Sequence, residues 1–201
     1  MANGTLAASQ IEMLSQSGTG VMTIVPPATN TNQTLTLPDS TGTVSTMGVG
    51  TAVTASGTSV DFTSIPSWAK KIIVSFSGLS TNGTSIPLVR LGDAGGVEAT
   101  GYLGAINQGG GSTPTSAAYS SGFAFATAWS AAAITHGAVT LTLIGSNVWA
   151  ANVLHGTSNS AGVYYGGGSK TLSDTLTQVS VTMVNGTDTF DAGTINIMYE
   201  G

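Results

Sequence analysis

A chain of 201 residues, 41% hydrophobic and only 6% charged, is long enough for one domain with a sizeable core plus an appendage. Soluble monomers carry about a quarter charged residues and use net charge to stay apart. This composition therefore argues against a free monomeric enzyme and for a subunit whose neutral surfaces are covered by copies of itself or by a larger assembly. The net charge is −5, and Lys70, Lys71, Arg90 and Lys170 are the only Lys and Arg, too few to follow a phosphate backbone, so no nucleic acid is expected as a partner.

Residues 99–169 contain no Asp, Glu, Lys or Arg at all. Cysteine is absent, which removes disulfides and thiolate chemistry. The first residues offer neither a basic nor an apolar targeting region, so no signal peptide is expected. Residues 117–134 are uncharged, but Ser120, Ser121, Gly122, Thr127 and Ser130 interrupt them, and no membrane insertion is expected.

Residues 1–50 hold Pro26-Pro27, Pro38-Asp39 and clusters of Thr, Asn and Gly. Val21, Thr23 and Val25, then Leu35 and Leu37, alternate as short strands between turns. Ile11 and Leu14 are three apart, which suggests a helical turn or two within residues 7–15. This segment has too few large apolar residues for its own core and reads as an extended β-rich arm that packs on something else.

From residue 51 the period-2 signal persists. Ile72, Val74 and Phe76 alternate with Ser75 and Ser77. Phe123, Phe125 and Trp129 share one face, with Ala124, Ala126 and Ala128 on the other. Val139, Leu141 and Leu143 follow, then Val179, Val181 and Met183, then Ile195, Ile197 and Tyr199. Strict alternation places one row in a core and the other on a second surface. The alanine row at residues 122–129 suits close contact with a neighbouring sheet, or a strand buried on both sides within one domain. Asn82-Gly83 and Asn185-Gly186 read as hairpin turns, and Gly166 to Gly168 as a flexible break. Together these predict an all-β, antiparallel, jelly-roll-like sandwich over residues 51–201.

No constellation for catalysis stands out, and no cofactor is expected. His136 and His155 lie in uncharged neighbourhoods, without a spacing that supplies an orienting carboxylate. Asp188 and Asp191 lie in a segment that reads first as a turn and second as a calcium loop. Trp129, Tyr164 and Tyr165 are candidates for stacking against a sugar, since aromatic faces with Asn and Ser donors make such sites. Tyr164 and Tyr165 are adjacent on a strand, so they point to opposite faces.

Two segments resemble known proteins. Gly20-Val-Met-Thr-Ile-Val-Pro-Pro-Ala-Thr-Asn-Thr-Asn-Gln-Thr-Leu-Thr-Leu-Pro-Asp-Ser-Thr-Gly-Thr-Val44 resembles a module of tail fibres and other appendages of tailed bacteriophages. Phe62-Thr-Ser-Ile-Pro-Ser-Trp-Ala-Lys-Lys71, Leu91-Gly-Asp-Ala-Gly-Gly96 and the run from Val184 to Glu200 resemble the β-rich terminal domain of such fibres. The resemblance implies a virion structural protein, not an enzyme: a homotrimer attached through its N-terminal arm to other proteins of the tail or capsid. Val25, Pro26, Pro27, Leu35, Leu37 and Pro38 would then be attachment residues. Trp129, Tyr164 and Tyr165 would contact a host-surface glycan. The chain lacks the coiled-coil, collagen-like or β-helical shaft of long fibres, so a short tail fibre and a capsid decoration or head-fibre protein are both expected roles.

Overall fold

The computed structural model describes residues 11–14, 19–24, 45–109, 114–160 and 162–201. The chain divides into two compact units, residues 1–43 and 44–201. In the first, β1 (Ile11–Leu14) and β2 (Val21–Ile24) pair antiparallel, with Ile11 opposite Ile24 and Leu14 opposite Val21. Residues 11–14 are thus extended rather than helical. Pairing with β2 supplies the backbone partners that a single helical turn would lack. Val25, Pro26, Pro27, Leu35, Leu37 and Pro38 lie outside the described residues.

The second unit is an antiparallel two-sheet sandwich, without helix among the described residues. Its strands are β3 (Met47–Val49), β4 (Val53–Thr54), β5 (Ser59–Phe62), β6 (Lys71–Thr81), β7 (Pro87–Asp93), β8 (Gly96–Val97) and β9 (Tyr102–Gly109). There follow β10 (Thr115–Tyr119), β11 (Phe123–Ala124), β12 (Thr135–Gly145), β13 (Val148–Thr157), β14 (Gly162–Thr171), β15 (Gln178–Met183) and β16 (Phe190–Glu200). The large sheet runs β10-β9-β14-β13-β12-β6-β16-β3, with β4 also on β16. The small sheet runs β11-β7-β15-β5, with β8 on β7. Strands β6 with β16, β7 with β15 and β9 with β14 pair in nested order, the winding of a jelly roll.

The core lies between the sheets. Ile72, Val74 and Phe76 face inward from β6, Val139 and Leu141 from β12, and Ile195 and Ile197 from β16. Val89, Leu91, Val179, Val181 and Met183 meet them from the small sheet. Each such side chain stabilises the fold by about 1.5–3 kcal/mol through burial.

Several local expectations change. Met47–Val49, expected with the arm, belongs to the sandwich: Gly48 lies opposite Tyr199, and Thr46 and Gly201 exchange backbone hydrogen bonds of 2.9 and 3.0 Å. A side chain at position 48 would collide with the Tyr199 ring, so only glycine lets β3 close on β16. Asn82-Gly83 and Asn185-Gly186 are not hairpin turns. Each lies where the chain crosses between the sheets, and the two crossings clasp each other through Asn82 Oδ1 and the Thr189 N–H at 2.8 Å. The hairpin turn between β12 and β13 is instead Ser146-Asn147, with φ of 47° and 62°, the left-handed pair that matches strand twist.

Gly166 to Gly168 are mid-strand in β14 rather than a break. A Cβ at Gly166 would sit 2.4 Å from the Ala105 carbonyl oxygen, so the close approach of β9 excludes one. Residues 122–129 form only the short strand β11. The backbone then leaves the sheet, and Phe123, Ala124, Phe125 and Ala126 are all buried within one domain. Ala124 and Ala126 thus pack internally, while Ala128 is exposed.

Candidate functional site

The sandwich separates the three sequence-predicted aromatic residues into two places. Tyr164 and Tyr165 are neighbours on β14 and face opposite sides of the large sheet. Tyr165 points outward and is 49% exposed. Pairing register sets it in a row that crosses the sheet: Asn196, Ser75, Ala138, Leu154, Tyr165, Asn107 and Ser116. The next row reads Val49, Met198, Ile73, Thr140, Asn152, Gly167, Ala105 and Ala118.

On this outer face these two rows carry no charge and mix small polar side chains with apolar ones. Leu103 is 74% and Leu154 63% exposed, and Val163, Val49 and Met47 are exposed with them. Its charges in the adjoining row are Lys71 and Glu200, which neutralise each other at 3.3 Å near one end. The charge-free stretch of sequence supplies β9, β10, β12 and β13 and most of β14, so the absence of charge is concentrated on this sheet. Among the described residues β10 pairs only with β9, and the strand carries no charge or proline to guard its free edge. A soluble monomer seldom leaves a face this wide so nearly without charge.

Tyr164 points inward. Its ring stacks on His155, with centroids 4.9 Å apart and planes at 12°. Trp129 is 8% exposed, and its Nε1–H donates to Thr81 Oγ1 at 2.7 Å. Trp129 is therefore largely buried, its indole held in place from the core side. It does, however, come together with Tyr164. Both line a cavity of about 240 Å³ with Gln108, Ala128, Ser130, Ala133, Thr157 and Ser160. No charged residue lines it. Burial raises the Tyr164 hydroxyl above the usual tyrosine range, which keeps it a neutral donor and acceptor. Sequence reasoning missed Gln108, Ser130, Thr157 and Ser160, because no spacing marks residues that only tertiary folding brings to one cavity.

The histidines bond to hydroxyls and backbone. His155 Nε2 lies 2.5 Å from the Phe125 carbonyl, which can only accept, so that nitrogen carries the proton and Nδ1 accepts from Thr135 Oγ1 at 2.6 Å. His136 Nδ1 accepts from the Gly78 N–H at 3.0 Å, and its Nε2 lies 3.2 Å from Ser158 Oγ.

The ionised groups act as clasps. Buried Lys170 donates to Glu98 and to the Thr171 carbonyl, and its ammonium lies 5.6 Å from the Tyr102 ring centre. The lysine holds the Glu98 carboxyl below the usual range. The Ser173 hydroxyl does the same for Asp93, 2.5 Å away. Burial pushes Tyr102 up to about 12 while its hydroxyl donates to the Glu98 carbonyl. Asp188 accepts from Asn185 Nδ2 at 2.8 Å and from the Ser85 N–H at 2.9 Å, while Asn185 Oδ1 caps the N–H groups of Thr187 and Asp188. The Asp188 segment is thus a capped turn tied to the neighbouring crossing. Among the described residues no three His, Asp or Glu side chains are grouped as metal ligands, and no helix is long and apolar enough to cross a membrane.

Neither a known protein family, nor a curated protein, nor a solved structure matches the chain.

Proposed function

We propose that the chain is a structural subunit of a tailed-bacteriophage virion, a short homotrimeric tail fibre. Its N-terminal arm anchors it to tail proteins, and its sandwich contacts the host surface. One observation carries the reading: the outer face of the large sheet is nearly free of charge, exposes Leu103, Leu154 and Val163, and is edged, among the described residues, by an unguarded strand, a surface suited to cover by protein. The resemblance of residues 20–44 and of the sandwich segments to phage appendages supplies the setting for that cover. Three copies would also multiply weak contacts with a host glycan through effective concentration.

A capsid decoration or head-fibre role is the second reading. It is favoured by the lack of any shaft sequence between the arm and the sandwich, since a projecting fibre needs length and a shell-bound protein does not.

Immunogold labelling of intact particles with an antibody to residues 51–201 tests both. Gold confined to the tail is expected for the fibre. Gold over the head overturns the fibre in favour of decoration, and unlabelled particles overturn both.

A further inference from the structure

We propose that the cavity between Trp129 and Tyr164 binds one ring of a neutral hexopyranose, with Gln108, Ser130, Ser160 and the Tyr164 hydroxyl meeting its hydroxyl groups. The cavity is small. At about 240 Å³ it falls below the range of roughly 300–1,000 Å³ that holds drug-sized ligands, and suits one ring rather than a long chain in depth. It has no charge, so it discriminates against phosphorylated or acidic ligands, whose charge would be desolvated without a partner.

The polar groups match sugar hydroxyls, each of which both donates and accepts. Gln108 Oε1 is taken by the Thr127 hydroxyl at 3.5 Å, leaving its amide N–H groups as donors. Ser130 Oγ accepts from the Ala132 N–H at 3.3 Å, leaving its own hydrogen to donate. Ser160 Oγ gives its hydrogen to Thr157 Oγ1 at 3.0 Å and keeps lone pairs to accept. Among the described residues no group hydrogen-bonds the Tyr164 hydroxyl, which offers both roles. A Cβ at Gly162 would lie 3.5 Å from that hydroxyl and 2.9 Å from Thr157 Oγ1, so the tyrosine tip sits at the Thr157 side of the cavity.

The aromatic walls are fixed in advance. Trp129 is pinned by Thr81, and Tyr164 by its stack on His155, so little ordering is left for binding. The cavity opens on the Tyr164 side of the sheet, opposite Tyr165, so a protein copy on the outer face does not occupy it.

This inference deepens the proposed host contact and rests on that reading only for the source of the sugar; the chemistry is tested on the purified full chain. Saturation-transfer NMR is run with four probes: methyl α-D-glucopyranoside, methyl β-D-galactopyranoside, methyl α-D-mannopyranoside and methyl N-acetyl-β-D-glucosaminide. At least one is expected to bind saturably in the millimolar range. Gln108→Ala and Tyr164→Phe, which leave the core in place, should each weaken it about tenfold. Tyr165→Ser, on the other face of the same strand, should leave it unchanged. Two results overturn the proposal: no binding of any probe, or binding that Gln108→Ala and Tyr164→Phe leave unchanged. Neither result touches the particle labelling, so the virion reading stands or falls separately.

Discussion

His155 on β13 of the large sheet donates through Nε2 to the carbonyl oxygen of Phe125, the residue that follows β11 of the small sheet, at 2.5 Å. The bond is a strut across the sandwich. Phe76 stacks on Phe125 at 4.7 Å and meets His155 edge-on, so the imidazole stands in an apolar cage. Burial lowers its pKa from 6.5 to about 4 and keeps it neutral.

A pH dependence follows. Above pH 6.5 His155 is neutral in folded and unfolded chains, and its contribution to stability is complete. Below 6.5 the unfolded chain takes up a proton that the folded chain refuses until about pH 4. Stability therefore falls across that window by roughly 3 kcal/mol. Urea unfolding at a series of pH values should show this slope in the native chain. His155→Leu should flatten it above about pH 5.5, where Glu98 and the aspartates are still ionised in folded and unfolded chains alike. The variant should also lose about 1–3 kcal/mol at neutral pH, because the Phe125 carbonyl and Thr135 lose a partner. An unchanged slope in the variant would remove His155 from the account.

Phe125 itself is fully buried. Phe125→Asp leaves an unpaired carboxylate in the core and should cost several kcal/mol, enough to lose soluble folded protein. Phe125→Leu keeps the site apolar and should cost only about 1–2 kcal/mol. The comparison is read by urea midpoints, and a folded Phe125→Asp chain of near-native stability would contradict the packing described here.

The two cases show what the sequence can and cannot reveal. Alternation at Ile72, Val74 and Phe76, and again at Val179, Val181 and Met183, marks inward rows because a paired strand has a true period of two. The same pattern at residues 122–129 misleads. Only Phe123 and Ala124 pair, and the bend that follows buries alanine and phenylalanine alike. Asn-Gly signals a turn but not which sheet the chain enters next. Tyr164 and Tyr165 are legible as facing opposite ways. That Trp129 joins Tyr164, and that Gln108 and Ser160 close the same cavity, depends on the nested pairing of distant strands.

The position of the arm boundary has a direct consequence. Deleting residues 1–43 should leave the thermal midpoint of the sandwich unchanged while abolishing incorporation into particles. Deleting residues 1–50 also strips β3 from β16 and uncovers Tyr199, and should lower the midpoint by several degrees. Equal midpoints for the two truncations would show that β3 contributes nothing to the fold. Normal incorporation of the shorter chain would contradict the anchor role.

The central claim is that copies of the chain cover the outer face of the large sheet. Light scattering on the purified full chain tests it, comparing the native sequence with Leu103→Glu and Leu154→Glu. Both leucines are exposed, so the fold survives the changes while a paired apolar face does not. The account predicts a native mass three times the 19.9 kDa of one chain, and smaller species in both variants. A native mass of one chain, or variants that assemble as the native chain does, would contradict it.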